Sequence, residues 1–115
     1  MQCKKIYSLL GLMTKSRKLI SGSFMTEKAV KDGSARLVVV SEDASANTKK
    51  LFRNKCEFYN VPLYIFGNSD EIGRAMGKEA RVSLAVTDSG FAKSMEKLLD
   101  VGIERRDNNG ENQDQ

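Results

Sequence analysis

The sequence predicts an α/β domain, a three-layer α/β/α sandwich around a central, mostly four-stranded mixed sheet. Three observations predict it. Segments with apolar residues at helical spacing alternate with short β-branched runs along the chain. The run Arg36-Leu37-Val38-Val39-Val40 lacks apolar–polar alternation, which marks a strand covered on both faces. The chain has 115 residues, 40% hydrophobic and 30% charged, with a single proline. That is the size and composition of one compact domain rather than of a disordered polymer.

Each element has its own signal. Ile6, Leu9, Leu10 and Met13 fall at i, i+3, i+4 and i+7, one face of a helix ending near Thr14. A basic knot follows, Lys15-Ser16-Arg17-Lys18, and then Leu19-Ile20, short enough for an edge strand. Gly22-Ser23 opens a second helix with Ser23 as the expected N-cap, and Gly33 stops it just past Asp32. After the valine-rich strand, Ser45 or Asn47 caps a third helix with a buried stripe of Thr48, Phe52, Cys56 and Tyr59. Val61 to Phe66 reads as the next strand, with Pro62 near its start, where a missing N–H is tolerated. Asn68 or Ser69 caps a short helix with Asp70 and Glu71 in its first turn and Lys78 beyond its end, the charge order its dipole favours. Val82 to Val86 is the last strand, and Phe91, Met95, Leu98 and Leu99 face the core from a closing helix. The domain therefore covers residues 1–101, while the polar stretch 102–115 has little to anchor it and is expected to be disordered.

Charge is unevenly spread. Net charge is +4, yet residues 1–55 hold 12 basic and 4 acidic side chains, whereas residues 56–101 hold 5 and 7. A basic half points to an anionic partner, nucleic acid first. Histidine is absent, which excludes Ser-His and Cys-His catalysis and His-ligated metal sites. Cys3 and Cys56 lie far apart and form no metal or disulfide pattern. Neither a P-loop nor a dinucleotide glycine fingerprint occurs. No apolar run approaches the ~20 residues that span a bilayer. The opening Met1-Gln2-Cys3-Lys4-Lys5 leads into an amphipathic pattern rather than a signal-peptide core, so a cytoplasmic protein is expected.

Two places can carry chemistry. Glu42-Asp43 and Asp88 follow strands, where ligands gather in α/β sheets, and their carboxylates suit magnesium or acid–base work. Asp88-Ser89 equally suits a helix cap. Gly22-Ser23 at a helix start is the other place: glycine permits close backbone approach, and free N–H groups at a helix tip attract phosphate. Lys28, one turn into that helix, lies within reach of such a phosphate.

The stretch Gly22-Ser23-Phe24-Met25-Thr26-Glu27-Lys28-Ala29-Val30, with Gly33 and Ala35 to Asp43, resembles the kink-turn RNA-binding family of large-subunit ribosomal proteins of the "L-seven-Ae" and "L-thirty-e" type. Gly73 to Val82, running into Ala85-Val86-Thr87-Asp88, resembles the same family, and the likeness covers residues 4–100. Glu42 to Lys50 and Lys55 to Pro62 are similar to the short bacterial members, the YlxQ type. The resemblance implies a non-catalytic, cofactor-free protein, monomeric and without a membrane. Its implied partner is sharply bent RNA, ribosomal RNA or a kink-turn in another RNA.

It also implies the contacts. Gly22, Ser23, Phe24, Met25 and Lys28 meet the widened groove near tandem G·A pairs, Glu42 helps to hold the site, and Glu79, Ala80, Arg81 and Val82 cover a flipped-out base. Arg81 stacks on that base or pairs with backbone. Archaeal and eukaryotic members carry Asn-Glu where this chain has Phe24-Met25, and neither of these accepts from a guanine edge. Either the pair retunes specificity, or it turns inward and Thr26 or Glu27 supplies the polar contact. Two other readings stay open: a protein–protein module on a translation factor, suited by Phe24-Met25, and a small magnesium-dependent hydrolase using Asp43 and Asp88.

Overall fold

The computed structural model describes residues 2–110, with side chains over 3–100. The elements follow in the order α1 (Gln2–Lys15), β1 (Leu19–Ser21), α2 (Ser23–Asp32), β2 (Leu37–Val40), α3 (Ala46–Tyr59), β3 (Leu63–Ile65), α4 (Ser69–Ala75), β4 (Ser83–Val86) and α5 (Ser89–Gly110). This is the predicted alternation, with β2, β3 and β4 shorter than expected and β1 extended to Ser21. Helix α5 continues through residues 102–110 of the stretch expected to be disordered, and residues 111–115 lie outside the described residues.

The four strands form one sheet in the order β1-β4-β2-β3. β4 is antiparallel to both β1 and β2, while β2 and β3 are parallel. Three strands thus run one way and β4 runs against them. One end of the sheet gathers the exits of β1, β2 and β3 with the entrance of β4. The opposite end holds the exit of β4.

Strand alternation divides the core. Leu37, Val39, Leu84 and Val86 face the layer of α1, α4 and α5, packing with Ile6, Leu10, Met13, Ile72 and Met95. Val38, Val40 and Ala85 face α2 and α3, packing with Ala29, Val30, Phe52 and Cys56. All four residues of β2 and all four of β4 are buried, as a doubly covered strand requires. Phe52, with no exposed surface, anchors the second layer; truncating such a residue to alanine costs about 3–5 kcal/mol. Burial pushes the Cys56 thiol up to about 11. The predicted α3 stripe is right at Phe52 and Cys56 and wrong at Tyr59. That last residue is 40% exposed beside Asn60, whose left-handed φ of 59° ends the helix.

Candidate functional site

Helix α2 starts without a side-chain cap. Its N-cap is Gly22, not Ser23, at φ 95° and ψ 143°, a conformation that residues with a Cβ rarely adopt. Gly22 donates its N–H to the Ser83 carbonyl at 3.0 Å, and its own carbonyl accepts from Thr26 N–H at 2.9 Å. The amides of Ser23, Phe24 and Met25 therefore have no acceptor within the helix, at the positive end of its dipole. Ser23 is the first helical residue, and its hydroxyl sits 3.4 Å from that of Ser83.

The side chains around this tip sort cleanly. Phe24 is 77% and Met25 45% exposed, while Thr26 is fully buried. Glu27 pairs with Lys31 at 3.5 Å. The inward-turning alternative is thus corrected: the apolar pair faces solvent and Thr26 does not. Lys28 is exposed one turn along the helix.

The segment before β4 forms the facing rim. Gly73 lets it approach α4, since a Cβ there would overlap the Glu79 carbonyl. Gly77 turns the chain at φ 72°, Lys78 N–H bonds the Gly73 carbonyl at 2.8 Å, and Arg81 N–H bonds the Ser69 carbonyl at 3.0 Å. Glu79 and Ala80 are exposed, whereas Val82 is half-buried against the α2–α3 layer. The Arg81 guanidinium folds back: Nε donates to Ser21 Oγ at 3.1 Å, and Nη1 donates to the Glu79 and Ala80 carbonyls at 3.3 and 3.1 Å. Of the two roles open to Arg81, this geometry is backbone pairing. It ties the rim to the end of β1.

Glu42 lies at the same end of the sheet. Its exposed side chain follows Ser41, whose N–H bonds the Val82 carbonyl at 2.9 Å, and its own N–H bonds the Gly67 carbonyl at 2.7 Å. The fold therefore gathers Gly22, Ser23, Phe24, Met25 and Lys28, the Glu79–Val82 rim and Glu42 at one end of the sheet. Sequence reasoning missed Ser21 and Ser83, which link tip to rim. Single serines at strand ends carry no signal until the strand pairing is known.

The carboxylate reading fails on topology. β4 runs against β2, so Asp43 and Asp88 lie at opposite ends of the sheet. Each also has a structural task. Asp43 accepts from Ser69 N–H at 2.9 Å and from its hydroxyl at 2.8 Å, and the Ser41 hydroxyl together with these groups holds its carboxyl below the usual range. Asp88 accepts from Phe91 N–H at 2.9 Å, capping α5. Among the described residues no group of three or more Cys, Asp or Glu is placed to hold a metal ion, and no helix is long and apolar enough to cross a membrane.

Residues 4–96 match the model of the family described as Ribosomal protein L7Ae/L30e/S12e/Gadd45. The chain is 45% identical over 94 residues to the RNA-binding protein YlxQ of Bacillus subtilis (strain 168), a match covering 82% of this chain and 94% of that protein. It is 34% identical over 93 residues to the large ribosomal subunit protein eL30 of Branchiostoma belcheri, covering 76% of this chain and 78% of the relative. A solved protein of unknown function from Bacillus halodurans superposes with a TM-score of 0.82 at 42% identity, covering 84% of this chain and 97% of the other.

Proposed function

The chain belongs to the Ribosomal protein L7Ae/L30e/S12e/Gadd45 family, and from that premise we propose that it is a non-catalytic RNA-binding protein that recognises kinked, kink-turn-like structured RNA in association with the ribosome. The observation that carries this reading is the convergence of the uncapped α2 tip and the Arg81-braced rim at one end of the sheet. RNA of this kind offers phosphates at a tight bend and bases splayed from the stack, so a protein reads shape and backbone before sequence.

Each part has a role. The Ser23, Phe24 and Met25 amides with the Lys28 ammonium receive phosphate oxygens. Gly22, without a side chain, lets the groove wall come close. Phe24 and Met25 give apolar surface to base or sugar faces. Ala80 and Val82 cover an extruded base, with Arg81 holding them in place as a positioning residue. Glu42 borders the site at the exit of β2.

An Asn-Glu pair at positions 24 and 25 would supply guanine contacts worth on the order of 1 kcal/mol each. Phe24 and Met25 forgo them, which makes phosphate and shape the larger share of recognition. The protein acts as a cytoplasmic monomer in this reading. Filter binding tests it: a kink-turn hairpin binds at least about tenfold more tightly than a straight duplex of equal length. Equal affinities contradict the claim.

One observation favours a second reading, a protein–protein module that has lost RNA recognition: Phe24 is 77% exposed at a helix start. Association with a protein partner that does not respond to salt, with no RNA shift, is the outcome that selects it.

A further inference from the structure

We propose that the groove between α1 and α5 is a docking site for an acidic amphipathic helix of a partner protein, separate from the RNA-binding end of the sheet. The groove has a volume of about 730 Å³. Leu9, Leu12 and Leu98 supply its apolar surface, and Lys4, Lys5 and Lys97 border it. Leu12 is 52% exposed although the helix that carries it, α1, packs against α5. Its neighbours Leu10 and Met13 are almost wholly buried, so the core is complete without it.

The charge around the groove is of one sign. Lys4, Lys5 and Lys97 are all exposed, and none has a carboxylate within ion-pair distance among the described residues. The nearby acids of α5 are used on its other flank. Asp100 accepts from the Tyr64 hydroxyl at 2.6 Å, and Glu96 lies close enough to act on the same phenol. Helix α5 thus turns carboxylates toward the β3 edge and Lys97 toward α1.

Shape and charge together select the occupant. From Lys4 to Leu12 the α1 wall runs about 12 Å, the length of a little over two helical turns. A helix laid in such a groove buries one apolar stripe, read at i, i+3, i+4 and i+7, and leaves its flanks beside the walls. Three lysines on those walls favour glutamate or aspartate on the flanks and reject lysine and arginine there. An RNA backbone gains charge pairing from the lysines but nothing from three leucine side chains, so a peptide is the better match.

The probe is a fluorescein-labelled synthetic helix of three turns, with leucine at i, i+3, i+4 and i+7 and glutamate on both flanks. A second peptide carries lysine in place of every glutamate. The proposal expects the acidic peptide to shift amides over residues 4–12 and 94–98 of the labelled full chain. It expects this peptide to bind at least about tenfold more tightly than the lysine peptide. The double variant Lys5→Glu/Lys97→Glu weakens the acidic peptide about tenfold and reverses the preference, with an unchanged melting temperature and unchanged affinity for a kink-turn hairpin. Leu12→Ser weakens both peptides. Four results overturn the proposal: no binding up to about 1 mM, equal binding of the two peptides, amide shifts centred outside α1 and α5, or a double variant that lowers hairpin affinity as much as peptide affinity. The last assigns the lysines to the RNA surface and leaves the RNA reading intact.

Discussion

Four helices of this fold begin directly after a strand, and their starts are built in two ways. Helices α3, α4 and α5 are closed by Ser45, Asn68 and Asp88, which accept from the amides of Thr48, Glu71 and Phe91 at 3.1, 2.9 and 2.9 Å. Helix α2 is led by Gly22, which has no side chain to offer. A side-chain cap contributes about 1 kcal/mol to stability. Three of the four starts take that stabilisation and the fourth leaves its amides open. Under the proposed function, the difference separates a helix start that only has to fold from one that also receives a ligand.

The most direct way to break this contrast is to close α2. Gly22→Ser places a Cβ at φ 95° and a hydroxyl over the open amides. Stability falls by about 1–3 kcal/mol, read as a lower melting temperature, and hairpin affinity falls at least about tenfold, read by filter binding. Lys28→Ala is a milder change. It weakens the hairpin several-fold and flattens the dependence of log affinity on log salt by about one unit, because one phosphate contact is lost. An unchanged slope takes Lys28 out of the site.

The converse substitution sharpens the same contrast. Ser45→Ala costs about 1 kcal/mol in denaturant titration and leaves hairpin affinity where it was, since that cap serves folding alone. The smallest effect is that of acid on Asp43, which secures the start of α4 through Ser69. Its carboxyl is held below the ordinary value of 3.8. A lowered folded value means that this contribution is complete above the unfolded value and is lost as pH falls through the lower folded one. Melting temperatures measured downward from pH 5 should fall less steeply for Asp43→Asn than for the parent chain.

Much of this was legible in the residues, and what was not has a physical cause. The valine run of β2 and the 3.6-residue spacing of α1 and α5 set the layers. Gly22 and Lys28 were legible as a glycine-led helix start with a lysine one turn along, and the 79–82 segment only through the likeness of its sequence to a family. Strand direction was not legible. Asp43 and Asp88 each follow a strand, and only the antiparallel pairing of β4 puts them at opposite ends.

The choice of N-cap at α2 was equally local and equally hidden. Ser23 is a common capping residue, yet the N-cap is Gly22, held by the bond from its N–H to Ser83, so the helix starts one residue earlier. The role of Arg81 depended on Ser21, 60 residues away in sequence. Tyr59 was misjudged because α3 ends on it, and the turn at Asn60 leaves it 40% exposed.

The central claim is that RNA is bound at the end of the sheet where the α2 tip meets the rim. Titration of the isotope-labelled chain with a kink-turn hairpin, followed by amide shifts, tests it residue by residue. The account expects the largest changes at residues 22–25, 28 and 79–82. Changes centred instead on Lys18, Arg36 and Asp88, at the opposite end of the sheet, contradict it.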